Sequence, residues 1–376
     1  AMLPYLNEEF GNPSSKYYCQ ATRAKAAVED AREKVARLIG ASPEEIIFTA
    51  GATESTNFII KGYLDYRKFY GDGKNHVITS LVEHKATLNT CKYLNGELYS
   101  NNDPTISLFG EKKRVNRGFE ASFVGVTPNG EINIEDIALK IKENTALVSI
   151  LYVNNEIGTI SDVEAVSALC RNNNIAFHSD LTQALGKMQI DIKKMGIDYA
   201  SCSAHKIYGP KGIGAAFMKF DAYGIAPITA LMHGGEQEFG FRAGTHAVHN
   251  IVGFGKAAEI ALRDLKKNEV HIKRLDEMLL KGIATIDNIH TTVDSSKRVP
   301  GIISLVVDKS DFHNERKKIS NEVALSTGSA CSAGEPSYVI QALGLGEKVN
   351  KVLRVSINKY TTKDDITSFL ELLRSI

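Results

Sequence analysis

Seven stretches of this 376-residue sequence hold side chains whose type and setting could do chemistry. Lys206 stands in Ser203-Ala204-His205-Lys206, after the apolar run 199–204 and before the glycine turn Tyr208-Gly209-Pro210-Lys211-Gly212. A lysine at a strand end, held by small residues, can form a Schiff base with an aldehyde cofactor if burial or a nearby cation depresses its pKa. Read alone, an exposed loop lysine is the more ordinary reading. Asp180 closes the run 175–180, IAFHSD, with Gln183 just beyond it. That end of a parallel strand faces ligands. A buried carboxylate there needs a cation, and a protonated pyridine nitrogen would serve; the plain alternative is a helix N-cap. Gly51-Ala52-Thr53 lies between a strand and a helix, where free N–H groups and a hydroxyl make an anion site or a simple cap.

Four more residues complete the set. His84, in Glu83-His84-Lys85, could stack on a ring and move protons near neutrality, or be structural. Asn155, in Asn154-Asn155-Glu156-Ile157-Gly158, could bind a ring substituent or a substrate carboxylate, or shape a turn. Cys331 sits in Ser326-Thr327-Gly328-Ser329-Ala330-Cys331-Ser332-Ala333-Gly334. A thiol among small polar neighbours suits a nucleophile or carrier better than a buried packing residue. Arg354, in VLRVSIN, offers a guanidinium fork for a carboxylate, or is a surface strand arginine. In chain order these groups supply a phosphate site, a ring contact, a substrate contact, a pyridine partner, a Schiff base and a sulfur acceptor.

The elements that must position them alternate. A helix is predicted over 21–39, with Val28, Ala31, Val35 and Leu38 on one face and Gly40 as its stop. Apolar runs at 45–49, 76–80, 146–153, 175–180, 199–204 and 212–220 read as strands, with a helical pattern at 162–172 between two of them. This predicts an α/β domain with a mostly parallel sheet. After about residue 245 the pattern changes. A long charged helix over 247–285, strands at 301–308 and 352–358 and a helix at 363–375 predict a smaller α+β domain. The expected division is 1–245 and 246–376. The polar segment 95–118, with Lys112, Lys113, Arg114 and Arg117, reads as a solvated basic loop.

Composition narrows the function classes. A net charge of +1 gives no global field toward nucleic acid or membrane, so direct binding to either is not expected. No run of about 18 apolar residues is present, and Ala1–Phe10 lacks the layout of a signal peptide. The five cysteines are an odd number at long spacings without CxxC, which argues against a disulfide framework or a metal site and for a reducing cytoplasm.

The strings FGNPSS, FTAGATES, EHKATL, VNNEIGT, HSDLTQALGK, SAHKIYGPKGIG, MHGGEQEFGFRAGT, STGSAC and EPSYVIQALGL resemble those of the NifS/IscS family of cysteine desulfurases, from about residue 10 to 376. The resemblance implies the aspartate-aminotransferase-like fold (fold type I of pyridoxal 5′-phosphate, PLP, enzymes) and a homodimer. It implies that Lys206 carries PLP, Asp180 pairs with the pyridine nitrogen, Gln183 meets the phenolic oxygen and His84 stacks on the ring. Ala52, Thr53, Ser203 and His205 would hold the phosphate, with Thr245 of the other subunit. Asn155 and Arg354 would take the substrate carboxylate. L-cysteine would lose its sulfur to Cys331, leaving alanine and a persulfide for a sulfur-acceptor protein. His84 is the expected proton acceptor beside the thiol.

The sequence departs from the family in three places. The family's opening strand and Asn/Ser-Ala-Thr-Thr turn have no counterpart in AMLPYLNEEFGNP, Cys331 to Pro336 is short, and VDATQ reads Ser179-Asp180-Leu181-Thr182-Gln183. The STGSAC form resembles the mobile-loop class, whose members feed iron–sulfur assembly, tRNA thiolation or DNA phosphorothioation. With the basic insertion, it makes a dedicated pathway such as the last an expectation. Two rivals stand beside this reading. One is another fold-type-I enzyme, a selenocysteine lyase or an aminotransferase, which would not need Cys331. The other is a non-catalytic sulfur-relay scaffold, which would hold no PLP.

Overall fold

The structure, a computed structural model, describes residues 1–97, 115–221, 223–310, 312–326 and 336–375. Cys331 and the basic residues Lys112, Lys113 and Arg114 lie outside the described residues. The chain forms two compact units: residues 1–124, 134–152 and 162–263, and residues 125–133, 153–161 and 264–376.

In the larger unit the helix Cys19–Ile39 buries Val28, Ala31, Val35 and Leu38, and Gly40 ends it at φ 74° in the left-handed region. Seven strands follow: β1 (Ile46–Thr49), β2 (His76–Ser80), β3 (Glu120–Val124), β4 (Thr145–Ser149), β5 (Ala176–Asp180), β6 (Tyr199–Ser203) and β7 (Gly214–Met218). They pair in the order β1-β7-β6-β5-β4-β2-β3. The run from β3 to β6 is parallel, whereas β7 is antiparallel to both β6 and β1. The two reversals leave β1 running in the same sense as β6. The C-terminal ends of β1, β2, β4, β5 and β6 therefore share one sheet edge, and several of the candidate residues lie there or in the segments that leave it. Continuous burial of β2, β4, β6 and β7 reflects a sheet covered on both faces. The helix Ala52–Phe69 packs Phe58, Ile59, Tyr63 and Leu64 into a cluster with Ile47, Val77, Leu147 and Met218.

β3 was not foreseen. Its residues EASFV are half polar and mostly half-buried at the sheet's edge, so no apolar run announces it. The division also falls elsewhere than the expected 245–246. The helix Val248–Ile283 begins within the larger unit, because Phe254 is fully buried there with its ring 6.4 Å from that of Phe48.

The smaller unit is built on an antiparallel sheet in the order β10-β9-β8, with β8 at Ile289–Thr291, β9 at Ile302–Val307 and β10 at Val352–Ser356. Leu275, Leu279, Leu305, Leu353, Phe369 and Leu373 share its core. The buried Arg298 donates to both carboxylate oxygens of Asp276, at 2.9 and 2.7 Å, and Gly301 N donates to the same group at 2.7 Å. These bonds satisfy a charge that burial alone would make costly.

Candidate active site

The sheet edge brings the phosphate residues together first. Ala52 N donates to Ser203 Oγ at 2.7 Å, joining the start of the helix Ala52–Phe69 to the end of β6. The approach is close because Gly214 of β7 has no side chain: a Cβ there would stand 2.6 Å from Gly51 Cα. Thr53, on the first turn of that 18-residue helix, is exposed. His205 is exposed on the turn after β6, and burial of its ring, then the charges of Lys206 and Lys211, lower its pKa. A helix start, a hydroxyl and nearby cations suit a phosphate.

Asp180 ends β5 with 6% of its surface exposed. Its Oδ1 accepts from Thr182 N at 2.9 Å, and its Oδ2 accepts no hydrogen bond among the described residues. A nearly buried carboxylate with an oxygen to spare fits a protonated ring nitrogen. Gln183, three residues on, holds its Oε1 toward Lys187 Nζ at 3.0 Å. That leaves its NH₂ as the free donor of the amide.

His84 caps the helix Lys85–Leu94: its Nδ1 accepts from Ala86 N at 3.1 Å. With Nδ1 occupied as an acceptor, the neutral ring carries its proton on Nε2. Burial lowers the His84 pKa, the charges of Lys206 and Lys85 push the same way, and Asp180 opposes them. His84, Asp180 and the exposed Lys206 thus lie within electrostatic reach of one another. The expected role of His84 as proton acceptor meets an obstacle here, because its Nε2 is a donor in this state.

Beneath His84 lies a group the sequence reading quoted without a role. Glu83 is fully buried, accepts from Ser80 Oγ at 2.7 Å and from Leu151 N at 3.1 Å, and thereby ties β2 to the end of β4. Burial pushes its pKa up to about 8, with a smaller push from Asp180, so it is largely protonated at neutrality.

Thr245 is exposed on the segment 236–246. Glu238 and Phe239 take left-handed φ values of 48° and 58° there, a conformation that costs energy for such residues. Glu238 holds it: its buried carboxylate accepts from Arg32 at 2.7 and 2.8 Å, from Phe48 N at 2.6 Å, and meets His246 Nε2 at 2.6 Å. Although burial opposes ionisation, these donors bring its pKa down to about 2.

Asn155 and Arg354 meet in the smaller unit. Arg354 Nη1 donates to Asn155 O at 3.2 Å, while Arg354 Nε and Asn155 Oδ1 are buried with no hydrogen-bond partner among the described residues. Burial lowers the Arg354 pKa, with Glu156 opposing. A desolvated guanidinium with a spare donor is a built receptor for a carboxylate.

The residues present fit PLP. A helix start for its phosphate, an under-paired carboxylate for its ring nitrogen, an amide donor for its phenolic oxygen and a lysine for its aldehyde all stand on one sheet edge. This mixed sheet with such an edge defines PLP fold type I.

Comparisons with known proteins agree. The model of the "Aminotransferase class-V" family matches residues 1–99 and 109–369. The cysteine desulfurase IscS of Neisseria meningitidis serogroup C is 38% identical over 377 residues, covering 100% of this chain and 87% of that protein. A solved NifS-like protein superposes with a TM-score of 0.85 at 32% identity, covering 100% of this chain and 93% of that one. A structure of SspA in complex with cysteine gives a TM-score of 0.78 at 32% identity, covering 96% and 94%. The chain belongs to the class-V aminotransferases, in their cysteine desulfurase branch.

Proposed function

We propose that the protein is a PLP-dependent cysteine desulfurase that moves the sulfur of L-cysteine onto its own Cys331 and releases alanine. The observation that carries the reading is the grouping of Asp180, His84 and Lys206 at one sheet edge, with a carboxylate oxygen left to pair. PLP, when bound, supplies an electron sink for the pair left behind when the substrate Cα–H bond breaks. Asp180 keeps the ring nitrogen protonated. The Gln183 amide donates to the phenolic oxygen, and Ala52, Thr53, Ser203 and His205 hold the phosphate. Lys206 takes the Cα proton. His84 stacks over the ring and holds a proton to give at Nε2. Arg354 and Asn155 grip the substrate carboxylate.

The sulfur step balances without an outside oxidant. The Cys331 thiolate attacks the substrate sulfur. An S–S bond forms, the Cβ–S bond breaks, and its electron pair returns to the carbon skeleton, which is protonated to alanine. A thiol and cysteine go in, and a persulfide and alanine come out. A second subunit contributes Thr245 to the phosphate site, and a sulfur-acceptor protein takes the persulfide. A cytoplasmic setting belongs to this reading, since the described cysteines Cys19, Cys91, Cys170 and Cys202 are all free thiols. The basic segment 95–118, of which residues 100–108 fall outside the family match, is where a dedicated acceptor would be recognised.

The test is incubation with L-cysteine, with alanine measured and the persulfide trapped and located by mass. Alanine should appear together with a label on Cys331. Alanine without that label, or full sulfide release by Cys331→Ser, would remove the carrier role and favour another fold-type-I enzyme.

A further inference from the structure

Lys187 has no part in the chemistry described so far. Its ammonium donates to the main-chain oxygen of Gln183 at 2.9 Å and to the Oε1 of the same residue at 3.0 Å. One cation thus grips both the backbone and the side chain of the residue four positions earlier. An amide whose oxygen faces an ammonium must turn its NH₂ to the other side, since the reverse orientation would set donor against donor. Lys187 is half-buried, and burial lowers its pKa to about 8 with a smaller contribution from the charge of Lys206, so it is largely an ammonium at neutrality.

We propose that Lys187 is a positioning residue that fixes the Gln183 amide with its NH₂ directed at the phenolic oxygen of PLP. This rests on reading Lys206 and Gln183 as cofactor residues. Lys187 itself touches neither the substrate nor the reacting atoms. It acts through the orientation of one side chain.

The experiment compares wild type, Lys187→Met and Lys187→Arg as full-length protein. PLP-loaded protein is titrated across pH and the midpoint of its visible absorbance is read. Lys187→Met frees the amide to turn its donor away from the phenolic oxygen and should shift that midpoint upward by about one pH unit, while Lys187→Arg, which keeps a donor facing the Gln183 oxygens, should stay near wild type. Where Lys187→Met does not fold, Lys187→Gln replaces it. A neutral variant that is folded by circular dichroism, with an absorbance midpoint equal to wild type, overturns the proposal. The underlying reading fails separately: borohydride reduction of PLP-loaded wild type would then place the cofactor on a peptide other than that of Lys206.

Discussion

The Ser337 hydroxyl donates to the Glu156 carboxylate at 2.5 Å, and both residues are buried. Glu156 follows Asn155, and Arg354 N in turn donates to Ser326 O at 2.7 Å. Residues 326 and 337, on either side of the stretch that contains Cys331, are thus bonded to Arg354 and to the neighbour of Asn155, the two residues proposed to hold the substrate carboxylate. Ser337→Ala takes a donor from a buried carboxylate and should cost about 1–3 kcal/mol. Urea denaturation gives the value, and Ser337→Thr, which keeps the hydroxyl, should recover most of the loss.

Glu238 gives the protein an acid-sensitive anchor. Its folded pKa of about 2 lies below the ordinary 4.5, so the stabilisation is present above pH 4.5 and is lost as pH falls toward 2. The size expected is about 3 kcal/mol. Urea midpoints measured from pH 5 down to 2.5 should fall steeply in wild type. Glu238→Gln should be less stable at pH 5 and should have a flatter acid limb. An unchanged slope would show that Glu238 is not the titrating group.

Glu83 works in the opposite sense. Its folded pKa of about 8 is above the ordinary 4.5, so the folded state holds a proton that the unfolded chain has already released. Stability should therefore decline as pH rises from 4.5 to 8, by an amount on the order of a few kcal/mol. Glu83→Gln mimics the neutral acid and should be free of that decline. A pH series of thermal melts on the two proteins is the comparison, and parallel curves would contradict the assignment.

The proposed carboxylate-binding role of Arg354 uses a planar fork that lysine cannot copy. Arg354→Lys should raise KM for L-cysteine by about 10–100-fold, the worth of one charge-assisted hydrogen bond, with a smaller change in kcat. PLP absorbance should not change. Steady-state alanine formation supplies both constants. A fall in kcat with KM unaltered would place this arginine in the reaction step rather than in binding.

Much of the fold was legible because local patterns and burial agree. The 3.6-residue spacing of Val28, Ala31, Val35 and Leu38 ends at a left-handed Gly40, and the runs HVITS and YASCS lie within a sheet covered on both faces. β3 was not legible, since an edge strand with one side in water shows no apolar signature. The start of the helix Val248–Ile283 falls in the larger unit, where Phe254 packs against Phe48, a contact its charged pattern does not announce. The His84 tautomer was hidden for a different reason: it depends on a backbone N–H two residues on.

The sequence by itself determined which chemical groups the protein owns and, through strand-end placement, that most of them gather at one sheet edge. Lys206, Asp180, His84 and the turn Gly51-Ala52-Thr53 could be named from residue type and flanking pattern, because those are local properties of the chain. Only the tertiary structure decided what each group is able to do. Protonation of Glu83, ionisation of Glu238, the facing of the Gln183 amide and the spare donor on Arg354 are set by burial and by partners distant in the chain. The physical reason is that a side chain's charge state and hydrogen-bond direction belong to its surroundings, which exist only once the chain has folded.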